Sequence, residues 1–76
     1  MKAYVMIHVR PGSVPEVVRN LRRLQGVMEA NMTFGPYDVV AIVQAPDING
    51  LGPLIANEVQ PIPGVIDTLT CLVVDA

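Results

Sequence analysis

The chain holds a single cysteine, a single histidine and only five lysines and arginines, and each scarcity closes off a class of protein. Cys71 alone cannot form a disulfide within the chain. Without C-x-x-C spacing, and set in an apolar strand pattern, it reads as a small hydrophobe. His8 alone cannot build a multi-histidine metal site within one subunit, and among apolar strand residues it fits a partly buried interface histidine. Seven acidic residues against five basic ones leave a net charge of −2, without the basic footprint of a nucleic-acid or anionic-membrane binder. Three of the cations, Arg19, Arg22 and Arg23, share one predicted helix and read as its solvated side. No stretch approaches the roughly 20 apolar residues of a membrane span, and the N-terminus lacks the ordered regions of a signal peptide, so a cytoplasmic protein is expected. No carboxylate–histidine or nucleophile–base constellation is apparent, which argues against an enzyme.

What the chain does have is apolar material: 51% of its 76 residues are hydrophobic and its mean hydropathy is +0.46. One domain over residues 1–76 is expected. At this length folding buries only about 60% of the unfolded surface, so one small core cannot hide that much. The excess predicts an obligate oligomer.

Periodicity supplies the elements. Lys2 to Val9 alternates Ala3, Val5, Ile7 and Val9 with Tyr4, Met6 and His8, a strand with two largely apolar faces, the second covered by another subunit or lining a shallow pocket. Arg10-Pro11-Gly12 breaks it. Ser13-Val14-Pro15-Glu16 reads as a capping box opening a helix to about Leu24, with Val14, Val17, Val18, Leu21 and Leu24 as its stripe. Gln25-Gly26 ends the helix, and Val27 to Thr33 alternates as a second strand. Val39 to Val43 is the most continuous β-branched run and predicts a central strand buried on both faces. Asp47 is a candidate N-cap for a weaker helix carrying Gly50, Gly52 and Pro53, with Leu51, Leu54, Ile55 and Val59 as its stripe. Pro61-Ile62-Pro63-Gly64 stops it, and Val65 to Val74 is the last strand.

An offset of 38 residues, half the chain, matches Leu21, Leu24, Gly26, Val27 and Glu29 with Val59, Ile62, Gly64, Val65 and Asp67. Two βαβ units in tandem predict an α+β, ferredoxin-like βαββαβ fold: a four-stranded antiparallel sheet with both helices on one face. Between the units, Phe34-Gly35-Pro36-Tyr37-Asp38 reads as a hairpin connection that sets Tyr37 and Asp38 at the mouth of a strand. A polar site belongs there, although an ordinary turn also tolerates both residues.

Gly35-Pro36-Tyr37-Asp38 before an apolar strand, paired with Ile62-Pro63-Gly64-Val65-Ile66-Asp67-Thr68-Leu69-Thr70, resembles the effector domain of the Lrp/AsnC family, often called the RAM domain. The resemblance spans essentially the whole chain. Because Met1 leads directly into the first strand, with no preceding helix-turn-helix, the sequence resembles the stand-alone members. The resemblance implies a homodimer built through the sheets, rings of dimers that are commonly octamers, and a small effector, typically an amino acid, bound between subunits. It also leaves room for a helix-turn-helix-containing paralogue as partner, with no direct DNA contact by this chain. No cofactor or metal is implied. A zwitterionic ligand needs donors for its carboxylate and acceptors for its ammonium. Gly35 admits close backbone approach, Tyr37, Thr68 and Thr70 offer hydroxyls, and Asp38 offers a carboxylate. Thr68 and Thr70 equally suit plain strand packing, and Asp38 equally suits capping the turn. Three alternatives stand beside this reading: a ligand-free oligomerisation module, an ACT-type sensor with its ligand at Gly12, and a small dimeric α/β-barrel enzyme.

Overall fold

Strict alternation makes β1 (Lys2–Val9) the axis of the sheet: Ala3, Val5, Ile7 and Val9 are buried, while Tyr4, Met6 and His8 point the other way. In the computed structural model, which describes residues 1–74, β1 lies between β3 (Val39–Gln44) and β4 (Val65–Leu72), and β2 (Val27–Met32) completes the order β2-β3-β1-β4. All neighbours are antiparallel. The last two residues of the expected 1–76 domain lie outside the described residues. With α1 (Val14–Arg22) after β1 and α2 (Ile48–Pro53) after β3, the chain has the expected ferredoxin-like βαββαβ fold.

Both helices cover one face. Val17, Val18 and Leu21 of α1 and Leu51, Leu54, Ile55 and Val59 of the second helical stretch bury the inward residues of β1 and β3 together with Ala30 of β2. The expectation that β3 is buried on both faces is corrected: Val39, Ala41 and Val43 are fully buried, but Val40 and Ile42 face the uncovered side and are only half-buried. Strand register gathers that side into a patch. Tyr4 sits between Ile42 and Cys71, and Met6 between Val40 and Leu69. Tyr4 keeps 40% and Leu69 48% of its surface exposed, so a continuous apolar strip lies open. Among the described residues no helix is long and apolar enough to cross a membrane.

The expected capping box does not form. Ser13 occupies the N-cap of α1 with helical angles (φ −101°, ψ −1°) and its side chain caps nothing, because a cap needs an extended setting to turn its oxygen onto the first amides. Glu16 pairs with Arg19 instead. The helix also closes at Arg22, before the expected Leu24, as Arg23 and Leu24 donate to the carbonyls three residues back and tighten the last turn. Asp47 does cap α2, its Oδ1 accepting from the Gly50 amide at 3.1 Å. Pro53 contributes no amide and its ring crowds the preceding turn. Beyond it the helix widens into a π-helical segment over Leu54–Val59, which still turns Leu54, Ile55 and Val59 into the core.

The repeat is visible in backbone detail. Leu24 donates to Leu21 and Val27 to Leu24; 38 residues on, Ile62 donates to Val59 and Val65 to Ile62. Gly26 and Gly64 then take φ of 97° and 101°, and each carbonyl accepts from the end of a strand in the other half, at 2.8 Å from Gln44 N and 2.8 Å from Arg10 N. Each also packs under the opposite helix. A Cβ at Gly26 would stand 2.9 Å from Leu54 Cδ2, and one at Gly64 would stand 2.7 Å from Ser13 Cβ. Gly64→Ala therefore combines backbone strain with overlap and is expected to cost about 2–4 kcal/mol in urea unfolding. Gly52→Ala, in open space, should change stability by no more than about 1 kcal/mol.

Candidate functional site

Residues 33–38 connect β2 to β3 and fold over one end of the sheet. Backbone polar groups dictate the path: Thr33 N donates to Asp38 O at 3.0 Å, Asp38 N to Ile7 O at 3.0 Å, and Thr33 Oγ1 to Tyr37 O at 2.8 Å. Asp38 Oδ2 accepts from Val9 N at 2.7 Å, so half of this carboxylate is committed to holding the strand end. Phe34 projects wholly into solvent at the tip, beside Gly35, which has open space around it.

His8 anchors the other side of the loop. Its Nε2 lies 2.7 Å from Pro36 O and its Nδ1 2.6 Å from Asp67 Oδ1, while Tyr37 stacks on the ring at 4.3 Å between centroids and 14° between planes. A carbonyl and a carboxylate only accept, so filling both contacts requires a proton on each ring nitrogen, the imidazolium form. The hydrogen bond to Pro36 and then that to Asp67, with smaller charge effects from Asp67 and Asp38, outweigh desolvation and raise the His8 pKa above its ordinary 6.5.

The sequence-derived site residues fall into two groups. Gly35, Tyr37 and Asp38 share the loop, and Tyr37 lies over the open face through its stack on His8. Thr68 and Thr70 pair with Ile7 and Val5, which places them together on the helix-covered face of the edge strand β4. Thr68 Oγ1 accepts from Gln60 Nε2 at 3.1 Å; Thr70 is exposed. One chain thus does not bring Tyr37 and the threonines around a common point. Asp38 lines a cavity of about 460 Å³ with Val14, Met32, Thr33 and Phe34, and Thr68 lines another of about 290 Å³ with Gln60 and Asp67. A roomier cleft of about 710 Å³ lies around Gly26, Gln44 and Glu58 and touches none of these residues. Volume is a weaker guide here than the polar groups converging on the loop. The sequence places neither His8 nor Asp67 in the ligand site: His8 reads as an interface histidine and Asp67 lies unassigned within the second signature, while strand parity puts each on the second face of its strand. Among the described residues no group of three His, Cys, Asp or Glu side chains is placed to hold a metal.

A four-stranded antiparallel sheet covered by helices on one face, with a polar loop at one end, defines a one-sided ferredoxin-like domain, an architecture that hosts many unrelated functions. The chain matches the family model for the Lrp/AsnC ligand binding domain over residues 2–76 and belongs to that family. It is 32% identical over 63 residues to the HTH-type transcriptional regulator Ptr1 of Methanocaldococcus jannaschii, a match covering 83% of this chain and 43% of that protein. The chain spans about half the length of the curated relatives it matches, 43–52%. Its fold superposes on the Thermus thermophilus protein TTHA0845 with a TM-score of 0.93 and 31% identity, covering 99% of this chain and 94% of that one. It also superposes on a Neisseria meningitidis transcriptional regulator in complex with L-Met (TM-score 0.87, 17% identity, 97% and 49% covered), a likeness of fold alone.

Two outcomes follow from the geometry. Asp38→Ala strands the part-buried Val9 amide and is expected to lower stability by about 1–3 kcal/mol in urea unfolding, apart from any effect on a ligand. Because folding raises the His8 pKa, its stabilisation is fully present below the unfolded value near 6.5 and is lost as pH rises through the folded value. Unfolding free energies measured across that window should fall with pH in the parent, and the slope should flatten in His8→Gln.

Proposed function

We propose that this chain is an effector-binding and oligomerisation domain that takes an amino acid or close analogue at a subunit interface lined by Gly35, Tyr37, Asp38, Thr68 and Thr70. The observation that carries this reading is the division of those residues between two faces of one sheet. A ligand held by both groups needs two chains. Membership of a ligand-binding domain family supports it, as does the L-Met complex of the Neisseria regulator. The open strip of Tyr4, Met6, Val40, Ile42 and Leu69 is the surface through which a dimer buries its excess apolar area, and the loop at its end is available for contact between dimers. Rings of dimers, octamers by family resemblance, are the expected assembly in a cytoplasmic regulator. The chain does no chemistry on its ligand. With a net charge of −2 it leaves DNA to a helix-turn-helix unit outside these residues, and a paralogue bearing one is a candidate partner.

Calorimetry against the twenty amino acids tests the ligand. At least one is expected to bind at or below millimolar concentration, and Thr70→Val, which removes an exposed hydroxyl while keeping the shape, should weaken it about three- to tenfold. If none binds, the domain is an oligomerisation module only. Sedimentation tests the assembly: the parent is expected well above its 8.2 kDa chain mass, and Ile42→Asp, which buries a charge in the strip, should dissociate it.

A further inference from the structure

The two halves of the signature, residues 35–38 and 62–70, are joined by a side chain that belongs to neither. His8 stands on the open face of β1, directly opposite Asp67 of β4, with Pro36 O over its other nitrogen and the Tyr37 ring against its face. Apart from this histidine, the hydrogen bonds that tie the loop to the sheet among the described residues are those of Asp38. Asp38 holds Ile7 and Val9, and Thr33 closes the loop onto Asp38 and Tyr37, which leaves Phe34, Gly35 and Pro36 with the His8–Pro36 bond as their one hydrogen bond to the sheet among the described residues.

We infer that His8 is a positioning residue whose imidazolium form pins residues 34–37 to Asp67 and β4, so that effector affinity at the loop is linked to the proton on His8. The titratable groups facing the ring are Asp67 on β4 and Asp38 and Tyr37 on the loop: two carboxylates that favour a charged ring, and a phenol whose ring lies flat on it. Loss of one proton leaves the other on Nδ1, where the carboxylate holds it in a charge-assisted bond. The bare Nε2 lone pair then faces the Pro36 carbonyl oxygen at 2.7 Å, acceptor against acceptor, and the tether becomes a repulsion. Tyr37 moves with Pro36. Asp38 does not, because its amide and carboxylate remain bonded to β1.

The effector part of the inference rests on the reading of residues 35–38 as a ligand site; the tether stands without it. NMR of the native assembly, titrated between about pH 5.5 and pH 8.5, follows the His8 ring protons together with the Tyr37 ring and the Gly35 and Asp38 amides. Expected are a His8 midpoint above its ordinary value, Tyr37 and Gly35 signals that move with the same midpoint, and an Asp38 amide that stays still. Asp67→Asn should lower that midpoint, and His8→Gln should abolish the shared transition at Tyr37 and Gly35. The affinity of whichever amino acid binds the parent should fall about three- to tenfold from pH 6 to pH 8.5 and become independent of pH in His8→Gln. Loop signals that ignore the His8 titration overturn the tether, as does a midpoint unmoved by Asp67→Asn. Affinity that is flat with pH and unchanged in His8→Gln overturns the linkage while leaving the ligand reading intact. A tether that titrates as described in a protein that binds no amino acid upholds the positioning role and removes the effector reading alone.

Discussion

Two helices cannot cover both faces of a four-stranded sheet, and that constraint governs the rest of this molecule. Having only 76 residues, the chain places α1 and the second helical stretch on one side, where they bury the inward residues of β1 and β3 almost completely. The other side keeps Tyr4, Met6, Val40, Ile42 and Leu69 at its surface. Burial of apolar area is worth roughly 25 cal/mol per Å², so a strip of this kind favours association with a second apolar surface over contact with water. Folding buries one parity of these strands and leaves the other open, with the polar loop at the end of the open strip.

The duplicated plan explains where that loop sits. Gly26 and Gly64 close equivalent turns, take equivalent backbone angles, and lie under the opposite helix. Each half is thereby locked onto the other by contacts that leave no room for a Cβ. Residues 33–38 join the two halves. Freed from the helix packing that dictates the equivalent turns, this segment carries Phe34 in solvent, Asp38 on the end of β1 and Tyr37 over His8. The polar cluster of His8, Tyr37, Asp38 and Asp67 thus gathers where one half of the repeat passes into the other.

Polar groups at this end of the sheet are largely engaged with one another and with the backbone. Asp38 spends one oxygen on Val9, Thr68 accepts from Gln60, and both nitrogens of His8 are engaged. Hydrogen-bonded groups that share partners in this way are coupled, so the arrangement of one constrains what the others can reach. The edge strand β4 takes part because its two parities face different ways, Asp67 toward the loop and Thr68 and Thr70 toward the helix side.

Local pattern in the sequence was enough to specify the elements. Alternation set β1, three- and four-residue spacing set the stripe of α1, Asp47 set the start of α2, and the 38-residue repeat set the topology, because these features depend on neighbours close in the chain or on the chain's own duplication. The signature pair Gly35-Pro36-Tyr37-Asp38 and residues 62–70 also marked the family. Ser13 misled, since its capping signal assumes an extended backbone, whereas Ser13 takes helical angles in the turn closed by its amide on Arg10 O. The burial of β3 on both faces misled as well, since hydrophobicity alone does not say which side the helices take. Strand register, which aligns His8 with Asp67 and divides Tyr37 from Thr68 and Thr70, exists only once β1, β3 and β4 are paired. Residues 8, 36 and 67 meet through hydrogen bonds across 28 and 59 positions of chain, and no local pattern encodes a contact that three-dimensional pairing alone creates.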